Sequence, residues 1–188
     1  GTSFAVPNDE SHPDFRTSFA NSLISNAGVT GLPSATVNRN FFSEYSSGAL
    51  ALSTNQYRGA TEKIIQESAY ANIGYQSNFD SETGLLTVDV EVYYVENLPF
   101  GIESNFINIA IIESNIYGYQ SNGGSNYNHK RVLRHFVTDT WGDEIEGMQA
   151  GDLISKQYTY TLNEEWIPEN CELVVFLSET RKDIINGV

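Results

Sequence analysis

The sequence predicts an α+β, mostly β chain, with a mixed α/β front over residues 1–70 and an antiparallel β-sandwich over residues 71–188. Three observations carry that expectation. Apolar residues recur at helical spacing before about residue 70 and at period two after it. Acidic charge gathers after the same point: residues 1–70 hold six Asp and Glu against four Lys and Arg, and residues 71–188 hold eighteen against six. The second part also shows five or six strand-like runs and no helical stretch long enough for a crossover, which favours a sandwich over a parallel sheet.

The front begins with His12-Pro13-Asp14, which reads as a helix start with Asp14 as N-cap. Phe15, Phe19, Leu23 and Ile24 then follow at helical spacing until Gly28 stops the helix. Gly31-Leu32-Pro33-Ser34 is a tight turn suited to either isomer of the Leu32–Pro33 bond, and Ala35-Thr36-Val37-Asn38-Arg39 reads as a short strand. Ser53 or Thr54 caps a second helix reaching to about Ala69, with Tyr57, Ala60, Ile64, Ile65 and Ala69 on one face.

The β part opens with Ile73 and Tyr75, and a polar, Gly-containing turn follows at 80–84. Leu86, Val88, Val90, Val92 and Tyr94 then alternate with Thr87, Asp89, Glu91 and Tyr93, the pattern of a strand with one wet face. Residues 106–112 are more continuously apolar and read as a buried strand. Residues 154–162 alternate again, residues 173–177 read as buried, and Ile184 and Ile185 start a last strand. Residues 117–150 show no such period. They read as one long loop rich in aromatics and charge, and loops of that length are usually functional or disordered.

Composition narrows the function classes. The chain has 188 residues, a net charge of −14 and eleven Tyr. Such a balance disfavours nucleic acid and anionic membranes, both of which need clustered Lys and Arg. No apolar run approaches the ~18 residues of a membrane helix. Cys171 is the single cysteine, which excludes an intrachain disulfide, a Cys-x-x-Cys pair and a cysteine-based zinc site, and its place before Leu173-Val174-Val175-Phe176 reads as buried. Gly1 in place of Met reads as a processed or trimmed chain.

Residues 127–135, Tyr127-Asn128-His129-Lys130-Arg131-Val132-Leu133-Arg134-His135, hold the concentrated positive charge of the molecule. Three readings stay open. Arg131 and Arg134 offer forked donors for a carboxylate or phosphate. His129 and His135 have a spacing of six that fits no common metal site. The reading weighted most is structural: the cluster pairs with Asp139, Asp143, Glu144 and Glu146 and pins the long loop. Trp141, with Tyr117, Tyr119 and Tyr127, is either a sugar-stacking platform or, with more weight, the closure of the sandwich end. Trp166 reads as a cap on the core. The paired carboxylates lie in loops, Ser11 beside His12 is not a triad, and no nucleophile elbow, phosphate loop or calcium ladder occurs. The expectation is therefore no catalytic residues, no metal and no cofactor, with Tyr127, His129, Lys130, Arg131, Arg134 and Trp141 as the candidate binding residues.

Four stretches in order, Asn126 to Arg134, Thr140-Trp141-Gly142-Asp143-Glu144-Ile145, Tyr158 to Leu162 and Trp166-Ile167-Pro168-Glu169-Asn170-Cys171, resemble the 28-kDa outer-membrane protein family of Bacteroidetes. Asp14-Phe15-Arg16-Thr17 with residues 28–39 is similar to the back half of the thioredoxin-like domain that precedes the β domain in such proteins, where Pro33 would stand in the cis-Pro loop. The resemblance implies an exported protein at the outer membrane, cell surface or periplasm, often a lipoprotein, with no catalytic residues to carry over. It implies a missing leading strand and helix, with Gly1 to Val6 as the end of a strand, and self-association through the half-domain. The leading expectation is a non-enzymatic surface protein acting as an interaction or adhesion module on a protein or glycan partner of the envelope. The alternatives are a fragment of a thioredoxin-like thiol oxidoreductase or chaperone with its dithiol upstream, and a glycan-binding module.

Overall fold

The computed structural model describes residues 6, 7, 9, 12–46, 48–146 and 149–181. The expectations placed on residues 1–5, on Ser11, and on Ile184 and Ile185 lie outside the described residues. Among the described residues the chain divides into two compact units, one built on residues between 18 and 69 and the other on residues 12–17 together with those between 70 and 181. The segment 12–17, expected as part of the front, thus folds with the β unit.

The first unit holds two short helices, α1 (Ala20–Ala27) and α2 (Tyr57–Ile64). The helix expected from Asp14 starts only at Ala20. Asp14 is not its cap: the carboxylate accepts from Arg16 Nε at 2.9 Å and from the Arg16 backbone N–H, which hold it down at about 2. The C-terminus behaves as the sequence indicates. Gly28 takes the left-handed conformation at φ 65°, its N–H donates to Ser25 O, and Val29 N–H donates to Ile24 O. The strand expected at 35–39 shrinks to one bridge, Ala35 to Leu52, because Asn38 and Arg39 adopt φ of 50° and 51° and leave the extended region. The cap expected at Ser53 or Thr54 does not form: the N-cap of α2 is Gln56, without a side-chain cap, and Ser53 N–H instead donates to Gln56 Oε1 at 2.8 Å while Gln56 N–H donates to the Ser53 carbonyl. That helix ends at Ile64, five residues short of expectation. A small core of Phe42, Leu52 and Ala60 closes the unit, and the Leu32–Pro33 bond is cis.

The second unit is a sandwich of two antiparallel sheets, so the chain is α+β and mostly β as the sequence predicts. One sheet is β1 (Ala71–Asp80), β2 (Leu85–Tyr94) and β8 (Leu153–Thr161), with β2 in the middle. The other is centred on β3 (Ile102–Glu113). Along one edge β3 pairs β9 (Cys171–Arg181), and along the other it pairs β7 (Asp143–Ile145) at 105–107 and β6 (Val132–Phe136) at 110–113. A hairpin of β4 (Ile116–Gln120) and β5 (Gly124–His129) forms a separate two-stranded sheet. The stretch expected as one long loop therefore carries four strands. They are short, and β4 and β5 alternate small and polar residues with tyrosines rather than apolar with polar ones, so they lack the period-two signature of a half-buried strand.

Leu86, Val88, Val90, Val92 and Tyr94 of β2 form one core with Ile107, Ile109 and Ile111 of β3 and Ile145 of β7. Each such side chain contributes roughly 1.5–3 kcal/mol of burial. The Tyr94 hydroxyl, inside this core, donates to Asn105 Oδ1 at 2.7 Å. Asn105 Nδ2 donates to the Tyr70 hydroxyl, which donates to Glu179 Oε2. Burial first, and then Asp152 nearby, push Tyr94 up to about 12, so it stays a neutral donor. The chain thereby fixes the first residue of the β unit, Tyr70, to the sandwich interior.

Candidate functional site

The hairpin is built from an unusual residue set. Of the fourteen residues 116–129, eleven are Tyr, Gly, Ser or Asn. This is the composition of antibody loops, where Tyr supplies amphipathic area at low entropic cost and Ser, Gly and Asn supply adaptable hydrogen bonds. The turn is closed by Gly123 N–H donating to Gln120 O at 2.8 Å, with Asn122 and Gly124 at positive φ. Tyr117, Tyr119 and Tyr127 remain 58%, 43% and 44% exposed.

Two devices hold the hairpin in place. The first is the strap formed by residues 12–17. Pro13 lies against Gly118, where any Cβ would meet the proline ring. His12 sits edge-on to Tyr119 at 5.4 Å, and Phe15 edge-on to His129 at 4.7 Å. The second is a ladder of amides. Asn128 Nδ2 donates to Asn115 Oδ1, and Asn115 Nδ2 donates to Asn170 Oδ1 at 3.0 Å. His129 packs edge-on to Tyr127 at 5.0 Å, with Nε2 3.2 Å from Tyr119 O.

At the corner between β5 and β6, Arg131 takes φ 55° and its backbone N–H donates to Ser114 Oγ. Lys130 and Arg131 are exposed there and make no ion pair with any described residue within 4.0 Å. A cleft of about 580 Å³ runs beside them, lined by Gln120, Tyr127, Asn128, His129, Lys130 and Val132.

Arg134 has a different fate from Lys130 and Arg131. Its Nε donates to Glu113 Oε2 at 2.8 Å, and the Glu113 side chain is only 3% exposed. Glu113 Oε1 accepts from Ile167 N–H. The Arg134 guanidinium lies 5.6 Å from the Trp166 ring centre, Trp166 stacks on Tyr160, and Tyr160 stacks on His135 at 4.3 Å. This layer closes one end of the sandwich. Among the described residues Lys130, Arg131 and Arg134 make no ion pair with the downstream acids: Asp143 accepts from the Asp139 N–H and Glu144 from the Ser104 hydroxyl. They stand beside the 105–107 stretch of β3, whereas β6 pairs at 110–113.

Trp141 is separated from the tyrosines in the same way. It precedes Gly142, which packs on Asn108 and Phe106, while the hairpin begins beyond Glu113. Those points on β3 are roughly 20 Å apart. Trp141 is 42% exposed and closes no core. His129 and His135 do not converge either, and no group of three His, Cys, Asp or Glu with metal-site placement occurs among the described residues. Cys171 is half-buried, and burial, followed by the Glu113 charge, pushes its thiol up to about 11.

Of the six candidate residues, the structure gathers Tyr127, His129, Lys130 and Arg131 and removes Arg134 and Trp141. Gln120 and Asn128 join them in the cleft. One signal for this surface lies in the sequence: residues 114–138 contain no Asp or Glu in a chain that carries 24.

The model of the outer membrane protein Omp28 family matches residues 20–188. The chain belongs to the Omp28 family. It is an exported, outer-membrane-associated protein, as the motif resemblance implied. Among solved structures this Omp28 chain is similar to HBP35 of Porphyromonas gingivalis, with a TM-score of 0.64 and 14% identity over 85% of this chain. The match spans 50% of the length of HBP35. Identity this low shows a shared fold. Comparison with curated proteins returns no match. No helix among the described residues is long and apolar enough to cross a membrane.

Proposed function

We propose that this Omp28 family member is a non-enzymatic interaction module of the outer membrane, with the sandwich as scaffold and the β4–β5 hairpin as its recognition surface. One observation carries the reading: an exposed Tyr/Gly/Ser/Asn hairpin, pinned by the strap, stands beside two cations that make no ion pair among the described residues, in an acid-free stretch. Pinning matters because a surface ordered before binding loses less conformational entropy on contact. Family membership supports an envelope setting for the partner.

The test is binding of the labelled full chain to whole cells and to outer-membrane vesicles. Replacing Tyr117, Tyr119 and Tyr127 together by Ser should reduce binding about tenfold or more, since interface tyrosines act as hot spots. Lys156→Ala on β8 should leave binding unchanged. Equal binding by the hairpin variant, at unchanged melting temperature, would remove the hairpin from the function.

A further inference from the structure

We infer that the hairpin's ligand is an acidic polysaccharide carrying uronic-acid carboxylates. This inference rests on the hairpin being the recognition surface and adds the ligand class. Three requirements of such a ligand meet on β5 and the corner after it. Pyranose rings need flat, partly apolar faces, and the exposed large hydrophobic side chains of 114–138 are all tyrosines. Hydroxyls need amide donors and acceptors, and Gln120 and Asn128 line the same cleft as Tyr127 and Lys130. Carboxylates need cations: Lys130 lines the cleft, and Arg131 next to it offers a forked donor pair.

The arrangement also discriminates. A neutral glycan would leave both cations unused. A nucleic acid needs many phosphate contacts, and a chain of −14 with two local cations repels it. The same net charge repels a polyanion from the rest of the surface, which confines binding to the acid-free stretch.

The experiment measures binding of the full chain to immobilised polygalacturonate and alginate, with dextran as neutral polysaccharide and poly-L-glutamate as an anionic chain without sugar. Low salt is compared with about 0.15 M, where the Debye length is ~8 Å. Expected is binding to at least one uronate polymer, weakened by salt, with little binding to dextran or poly-L-glutamate. Lys130→Glu with Arg131→Glu should lower affinity about tenfold or more, the scale of losing charge-assisted hydrogen bonds. Tyr127→Ala should lower it several-fold while leaving the salt dependence in place. No binding to either uronate polymer overturns the inference and leaves the hairpin reading to the cell-binding test. Equal binding to poly-L-glutamate overturns the sugar class while keeping the hairpin. Uronate binding that survives both sets of substitutions overturns the inference and the hairpin reading together.

Discussion

The sandwich core and the β4–β5 hairpin are both antiparallel β-structure, and they are stabilised in opposite ways. On β2, five side chains in alternation are buried against β3, and the intervening residues face outward. On β4 and β5, Gly118 is the one fully buried residue, and rigidity comes from a proline strap and an amide ladder. A surface meant to be covered by a partner cannot spend its side chains on its own core. Recognition segments are accordingly drawn from the weakly buried parts of a fold. The layer of Glu113, Arg134 and Trp166 marks the border between the two regimes, and it offers the largest expected effects.

Arg134→Ala or Glu113→Ala leaves one buried charge without its partner. The expected cost is about 3–5 kcal/mol of stability, read as a lower midpoint in urea unfolding at unchanged slope. The double change Glu113→Gln with Arg134→Met should recover much of that loss, since replacing a buried pair as a whole is far milder than halving it. Equal stability of Arg134→Ala and the parent chain would place Arg134 with the hairpin cations and blur the border.

A smaller effect is expected at the strap. Gly118→Ala puts a methyl group against the rigid Pro13 ring, so either the strap or the hairpin must shift. A cost of about 1–3 kcal/mol follows from overpacking of this kind. Its signature is local: faster proteolysis within 12–17, with amide exchange in β2 and β3 unchanged. Faster exchange across the core as well would show that hairpin and sandwich unfold as one unit.

The two regions also differ in how far the sequence reveals them. The faces of β2 and β8 follow from apolar alternation, because a buried face leaves a period-two record, and β3 follows from its continuous apolar run. The hairpin leaves none: Tyr, Gly, Ser and Asn populate both of its faces, so the segment reads as a loop. Arg134 is likewise indistinguishable from Lys130 and Arg131 by type. What separates it is Glu113, twenty-one residues earlier and in register only after β3 and β6 pair. Sequence proximity sets Trp141 beside the tyrosines, while its own turn packs on a different stretch of β3. Asp14 shows the same limit on a small scale, since its cap role in α1 loses to the adjacent Arg16 fork.

His135 lies on the sandwich side of the border, stacked on Tyr160, and burial lowers its pKa below the ordinary 6.5. The sign follows from that direction. The unfolded chain takes up the proton first, so this contribution is fully present above about pH 6.5 and is lost as pH falls from there through the lower folded value. The melting temperature should therefore decline on going from pH 7.5 toward 5. His135→Phe, which keeps a ring for the stack, should flatten that decline. The same slope in both proteins would assign the pH dependence to other groups.

The smallest effect on stability is expected where binding should change most. Lys130 and Arg131 are exposed and make no ion pair with a described residue, so Lys130→Ala should stay within about 0.5 kcal/mol of the parent. Arg131 carries one complication, its φ of 55°, which alanine tolerates poorly. Arg131→Asn keeps the left-handed preference while removing the charge, and it separates backbone from electrostatic effects. If Arg131→Ala destabilises and Arg131→Asn does not, the conformation of the corner is what the residue supplies to the fold, and its charge remains available to a ligand. If both destabilise equally, the guanidinium itself stabilises the corner, and the contrast between Arg131 and Arg134 narrows to one of degree.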